Sequence, residues 1–228
     1  MTTPHTPRGA LIAIEGLDRA GKSTQCDLLL NRLLSSGIPA KLQKFPDRTT
    51  PTGTLINTYL TSSTPLDDQS IHLLFSANRW EARDSLLSTL LSGTTILLDR
   101  YIYSGIVFSA AKPPTPIKDP KQPLSIPWCK SPDIGLPKPD IIIFLNITQE
   151  DAEKRAGFGD ERYEKRELQE KVRGLFEDLR GEDSNDKDDW WVVNAGGTVE
   201  EVAEEVWKGV LEALRRVKEG NGEVGSIE

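Results

Sequence analysis

Cysteine, histidine and methionine are scarce: the 228 residues hold two, two and one of them. Cys26 and Cys129 form no C-x-x-C pair and no metal-ligand spacing. They are expected as two reduced, inert thiols and not as a zinc centre or a disulfide. Long apolar runs are missing as well. None approaches the ~20 residues of a membrane span, and the opening MTTPHTPRG has no apolar signal core. No membrane is therefore expected as a partner, and a cytoplasmic protein is, with nuclear residence left open. Nor is there a basic excess. The 28 Lys and Arg against 35 Asp and Glu leave a net charge of -7, a field that disfavours a nucleic-acid polymer. A local cluster of Arg and Lys can still hold a small anion. Solenoid-type repeats are absent too.

What is present is 37% hydrophobic and 28% charged, which suits one globular domain over 1–228. GALIAIEG reads as a short buried strand stopping at Gly16, and a helix is expected from about Ser23, with Leu29, Leu30, Leu33 and Leu34 as its apolar stripe and Gly37 as its end. AKLQKF, TTILLD, DIIIFLNI and WWVVNA read as four further strands. DIIIFLNI is apolar almost throughout, as a strand covered on both faces should be. Helices are expected from about Asp67 to Gly93 and from Val199 to about Lys218. This alternation predicts a three-layer α/β fold around a mostly parallel five-stranded sheet. The proline-rich segment 113–127 is expected as a surface loop, RGEDSNDKDDW as an acidic linker and 219–228 as a frayed tail.

Gly16 to Ser23 fits G-x-x-x-x-G-K-[ST], between a predicted strand and a predicted helix. The glycines let backbone N–H groups converge on phosphate oxygens, and the helix N-terminus adds partial positive charge. Lys22 would reach the terminal phosphates, and the Ser23 hydroxyl suits a magnesium position. Asp18 and Arg19, inside the same loop, need another explanation. Arg19 is placed to touch a phosphoryl group in transfer. Asp18 would repel phosphate and calls for a hydroxyl or a cation, hence for a second, nucleoside-bearing ligand beside the loop.

Arginines supply a second anion site. Arg48 follows the second strand, and Arg100 follows Asp99 at the end of the third. The carboxyl ends of such strands form the ligand crevice, and an arginine fork grips phosphate bidentately. Asp99 suits a carboxylate that orients magnesium or phosphate, through water. Phe75 and Arg79 lie four apart on one helical face. Taken singly, Phe75 reads as core, a strand-end Arg as surface, Tyr101 and Tyr103 as packing, and His72 as structural. AEKRAGFGDERYE places Arg155 and Arg162 around Gly157 and Gly159, a hinged basic loop suited to be a mobile lid over about 154–164.

EGLDRAGKSTQ, FPDRTT, HLLFSANRWE, DRYIYSG, WCKSPDIGLPKPD and GFGDERYE, in this order, resemble the thymidylate kinase family from about Arg8 to Gln169, most closely its eukaryotic members. The resemblance implies a P-loop NTPase fold, ATP and Mg2+ as cofactors, dTMP as acceptor and a homodimer. It implies ATP binding by Gly16, Leu17, Asp18, Arg19, Ala20, Gly21, Lys22, Ser23 and Thr24, with Arg155 facing ATP from the lid and Asn194 and Ala195 near adenine by position alone. Arg19, Lys22 and Asp99 are the implied catalytic set. For dTMP it implies Asp18 at the sugar 3′-hydroxyl and Arg48 and Arg100 at the phosphate. Phe75 would stack on thymine, Arg79 would donate to a thymine carbonyl and Ser109 would touch the base. Phe45, Ser104, Gly105 and Phe108 would line the same pocket. Tyr163 would lie near the sugar, with Gln169 nearby. The proline-rich loop is longer than the family pattern suggests.

The activity implied is direct transfer of the ATP γ-phosphoryl to dTMP, giving dTDP for dTTP synthesis. Alternatives are a kinase for another nucleoside monophosphate, a GTPase-like switch and a thymidine kinase. The sequence shows no N-K-x-D guanine motif, and two arginines at an acceptor site would be superfluous for an uncharged nucleoside.

Overall fold

Five short runs, each closed by a turn residue or a charge, form one sheet. They are β1 (Leu11–Gly16), β2 (Ala40–Lys44), β3 (Thr95–Asp99), β4 (Ile141–Asn146) and β5 (Trp190–Asn194). The computed structural model describes residues 7–61, 66–113, 123–153, 163, 166–182, 189–220 and 222–228. The strand order is β2-β3-β1-β4-β5, and every pairing is parallel. The sheet is therefore wholly parallel, as continuous apolar runs such as Ile141–Leu145 require. β1, β3 and β4 are buried along their length apart from Asn146, whereas β2 and β5 are only partly covered, as edge strands.

Helices fill both faces: α1 (Lys22–Ser35), α2 (Pro51–Thr61), α3 (Asp68–Leu91), α4 (Ile102–Ala110), α5 (Ile126–Lys130), α6 (Gln149–Glu153), α7 (Arg166–Glu182) and α8 (Val199–Glu219), with a 3-10 turn at Ser131–Asp133. Side chains set several of the starts. Asp67 accepts from the backbone N–H of Gln69 and Ser70 ahead of α3. Thr198 and Glu201 close a capping box on α8. The chain leaves β1 towards β2 and reaches β4 only later, on the other flank of β1. That reversal of winding opens a crevice above the carboxyl ends of the central strands.

Four details differ from the sequence reading. On α1, Cys26, Leu29 and Leu33 are buried, but Leu34 is 51% exposed, because the buried stripe follows the 26–29–33 line. α2 is a helix that periodicity did not reveal in PTGTLINTYLT. The proline-rich segment 113–127 closes in helix, since the Ser125 side chain accepts from the Trp128 N–H at the start of α5; residues 114–122 lie outside the described set.

The tail, expected to fray, is docked. Ile227 donates to the Leu136 carbonyl and accepts from the Gly135 N–H, Lys138 N–H donates to the Gly225 carbonyl, and Ile227 is 5% exposed. Of the lid expected over 154–164, only Tyr163 is described.

Candidate active site

β1 delivers the phosphate-binding loop. After Gly16 the chain turns back on itself (Ala20 N–H to Leu17 C=O, 3.3 Å), and α1 starts at Lys22. Gly21 sits at φ 89°, a conformation open to glycine but strained for most residues. Arg19, at φ 62°, and Arg100, at φ 68°, hold positive φ with full side chains. Such strain persists where surrounding contacts over-determine it, and it clusters at functional sites. Lys22 is buried, and its Nζ donates to the carbonyls of Gly16 (3.2 Å) and Leu17 (2.5 Å). Burial, reinforced by the Arg100 charge, lowers the Lys22 pKa to about 7.

The end of β3 meets this loop. Ser23 Oγ donates to Asp99 Oδ2 at 2.7 Å, and Lys44 Nζ lies 3.5 Å from the same carboxylate oxygen. Burial alone would raise the Asp99 pKa; the Ser23 hydroxyl and the Lys22, Arg100 and Lys44 charges hold it below the usual range. Arg100 donates to Gly16 C=O and Ser104 Oγ and forms an ion pair with Asp18. Asp18 also accepts from Gln169 Nε2 at 2.7 Å, while its own N–H donates to Gln169 Oε1. Gln169 Nε2 donates on to the Tyr163 carbonyl. Asp18 is thus held between Arg100 and Gln169, and its charge is compensated from within the protein.

One cavity of about 380 Å³ lies over the ends of β1, β2 and β3. Asp18, Arg19, Gly21, Lys22, Ser23, Thr24 and Asp99 line one end. Phe45, Arg48, Phe75, Arg79, Arg100, Ser104, Gly105, Phe108, Ser109 and Tyr163 line the rest. Gly16, Leu17 and Ala20 frame the loop without lining the cavity, and Gln169 reaches it through Asp18. Asn194 and Ala195 are not brought there. Asn194 ends β5, two strands from β1, and Ala195 follows it; there Asn194 Oδ1 accepts from Gly196 N–H and Ala195 N–H donates to Asn146 C=O. Arg155 lies outside the described residues.

Three buried groups hold these side chains, and the sequence reading missed two of them, Glu15 and Asp133. Glu15 accepts from the N–H groups of Tyr101 and Ser104 and from Ser104 Oγ, fixing the first turn of α4 behind Arg100. Its burial raises its pKa, opposed by the Ser104 hydroxyl and Arg100. A charge inside the apolar run IAIEG was the available signal. Asp133 receives Arg79 through Nε (3.1 Å) and Nη2 (2.6 Å), with Ser76 Oγ at 2.7 Å. The third guanidinium nitrogen, Nη1, abuts Gly105, where an added Cβ would stand 2.8 Å away. His72 is wholly buried between Ser109 and the Cys129 carbonyl, in keeping with a structural reading of that residue. Both cysteines are buried and free, and burial pushes the Cys129 thiol up to about 12.

A cavity with a phosphate loop at one end and paired arginines beside an aromatic slot at the other fits a phosphoryl donor and a nucleotide acceptor. The family profile described as thymidylate kinase matches residues 14–206. The chain belongs to the thymidylate kinase family. It is 49% identical over 199 residues to the Schizosaccharomyces pombe thymidylate kinase, covering 87% of this chain and 90% of that protein. The human thymidylate kinase is 42% identical over 212 residues, covering 93% and 94%. A solved structure of the Candida albicans thymidylate kinase superposes with a TM-score of 0.83 at 44% identity, covering 97% of this chain and 99% of that one. Family membership makes the chain a nucleoside monophosphate kinase.

Proposed function

We propose that this cavity transfers the γ-phosphoryl of ATP directly and in line to the phosphate of dTMP, giving dTDP. The family supplies the reaction, ATP-dependent phosphorylation of dTMP. The observation that carries the site assignment is that Arg19, Lys22 and Ser23 share one cavity with Arg48, Arg100, Phe75 and Arg79. Phosphoryl transfer is governed by positioning and charge stabilisation, and the acceptor is already an anionic oxygen at neutral pH, so no strong base is required. Lys22 and the loop N–H groups hold the donor phosphates. Arg19 neutralises charge on the moving phosphoryl. Arg48 and Arg100 hold the acceptor phosphate, Asp18 takes the sugar 3′-hydroxyl, and Tyr163 walls the sugar side. Phe75 stacks on the base while Arg79, steered by Asp133, donates to a base carbonyl.

The oxygen donors at Ser23 and Asp99 fit Mg2+, which takes one or two protein oxygens and completes its shell with phosphates and water. The described residues hold no cluster of three His, Cys, Asp or Glu that would indicate a softer or fully caged metal. Ser23 and Asp99 would hold the ion, which would supply positive charge against the phosphates during transfer. A homodimer is part of the same reading, supported by Leu73, Trp80 and Leu91, which stay exposed along one line of α3.

The site assignment is tested by two substitutions with different signatures. Arg19→Ala should lower kcat about 10³-fold, the scale of a transition-state arginine. Arg100→Met should mainly raise the KM for dTMP. A kcat change below about threefold in Arg19→Ala would remove that residue from the transition state.

A further inference from the structure

His72 sits behind the base-facing wall of the cavity and touches it through one residue. Its Nε2 lies 2.9 Å from the Cys129 carbonyl and its Nδ1 2.8 Å from Ser109 Oγ. A carbonyl oxygen only accepts, so the proton of the ring is on Nε2. The ring is neutral: burial lowers its pKa, and the nearby Arg79 and Lys112 cations act in the same direction against the Cys129 carbonyl and Asp133. Nδ1 therefore offers a lone pair, and the single proton of the Ser109 hydroxyl goes to it. What Ser109 turns towards the cavity is lone pairs alone. Arg79, on the same wall, offers only donors.

We propose that His72 sets the base selectivity of this pocket by locking Ser109 as a hydrogen-bond acceptor. An acceptor beside a donor reads a pyrimidine with N3–H next to a C4 carbonyl, as in thymine and uracil. Cytosine presents the reverse, an N3 acceptor next to an amino donor. It would set lone pair against lone pair at Ser109 and donor against donor at Arg79, and a buried mismatch of this kind is rejected strongly. His72 is a positioning residue in this scheme, acting through Ser109.

This inference rests on the dTMP reading of the cavity, and its test separates the two. Initial rates with dTMP and dCMP are compared for the wild type, His72→Phe, Ser109→Ala and the double variant, each checked for folding by thermal melting. Freed from Nδ1, the Ser109 hydroxyl can rotate and donate, so the dTMP-to-dCMP ratio of kcat/KM should fall about tenfold in His72→Phe, the scale of one mispaired buried group. The KM for ATP should hold, and adding His72→Phe to Ser109→Ala should leave the ratio where Ser109→Ala puts it. An unchanged ratio in folded His72→Phe overturns the inference while leaving dTMP turnover intact; absence of dTMP turnover in the wild type overturns the reading beneath it. Should His72→Phe fail to fold, the wild type still decides. With two histidines in the chain, 15N-histidine NMR of the dTMP complex should show a neutral ring protonated on Nε2. A proton on Nδ1, or an imidazolium, contradicts the inference.

Discussion

Replacing Asp133 by Asn keeps the shape of the buried pair with Arg79 and removes its charge balance. The two side chains are 3% and 0% exposed, and Asp133 takes two N–H bonds from the guanidinium and one from Ser76. The amide of Asp133→Asn can accept one of the guanidinium bonds through its oxygen, but its NH2 group then confronts a second donor. Removing one partner of a buried pair costs about 3 to 5 kcal/mol, because the other charge is left uncompensated. Taking 3 kcal/mol, and about 2 to 4 °C per kcal/mol for a chain of this size, the melting temperature should fall by about 6 to 12 °C. The kinetic effect should be one-sided. Arg79 is no longer steered into the base pocket, so the KM for dTMP should rise while the KM for ATP holds. The double variant Arg79→Met/Asp133→Leu separates the two consequences, since exchanging a whole buried pair for apolar side chains is often neutral or stabilising. It should melt near the wild type yet bind dTMP poorly. Differential scanning calorimetry and steady-state kinetics read both. A melting temperature within about 2 °C of wild type in Asp133→Asn, or an unchanged dTMP KM in the double variant, would refute the reasoning.

Two further outcomes concern groups whose cost or contribution is visible in the fold. Lys22 titrates at about 7 when buried and at its usual 10.5 when unfolded, so between these values the unfolded chain binds more protons and stability rises with pH. Relative to Lys22→Met, the ligand-free wild type should gain about 2 kcal/mol between pH 7 and pH 9 in urea unfolding, and a flat difference would contradict the burial of that charge. Ile227→Ala should cost about 2 kcal/mol, a core-sized loss, whereas an undocked tail would leave stability within about 0.5 kcal/mol.

The parts of the site that could be read in sequence are those whose chemistry is local. The phosphate loop announces itself because glycine spacing, a strand before it and a helix after it lie within one short stretch. The five strands were readable for a similar reason, since short apolar runs closed by Gly, Pro or Asp have few other fates. The supports were not readable. Asp133 stands 54 positions from Arg79, and Glu15 meets Ser104 across 89; only the packing of β1, α3 and α4 brings them together. α2 escaped notice because Thr and Gly weaken its helical signal, while burial of Ile56, Tyr59 and Leu60 against Ile71 stabilises it. The tail escaped for the opposite reason: EGNGEVGSIE looks unstructured until Leu136 and Gly135 supply its backbone partners.

The most direct measurement is ADP release by the wild type with ATP and Mg2+, comparing dTMP, UMP, thymidine and no acceptor. Fast turnover with dTMP alone is predicted, because Arg48 and Arg100 require an acceptor phosphate and the Phe75–Arg79 wall with Tyr163 favours a thymine deoxynucleotide. Turnover with UMP or thymidine at least as fast as with dTMP would contradict the account of the acceptor pocket. Turnover indifferent to any acceptor would contradict the kinase reading itself.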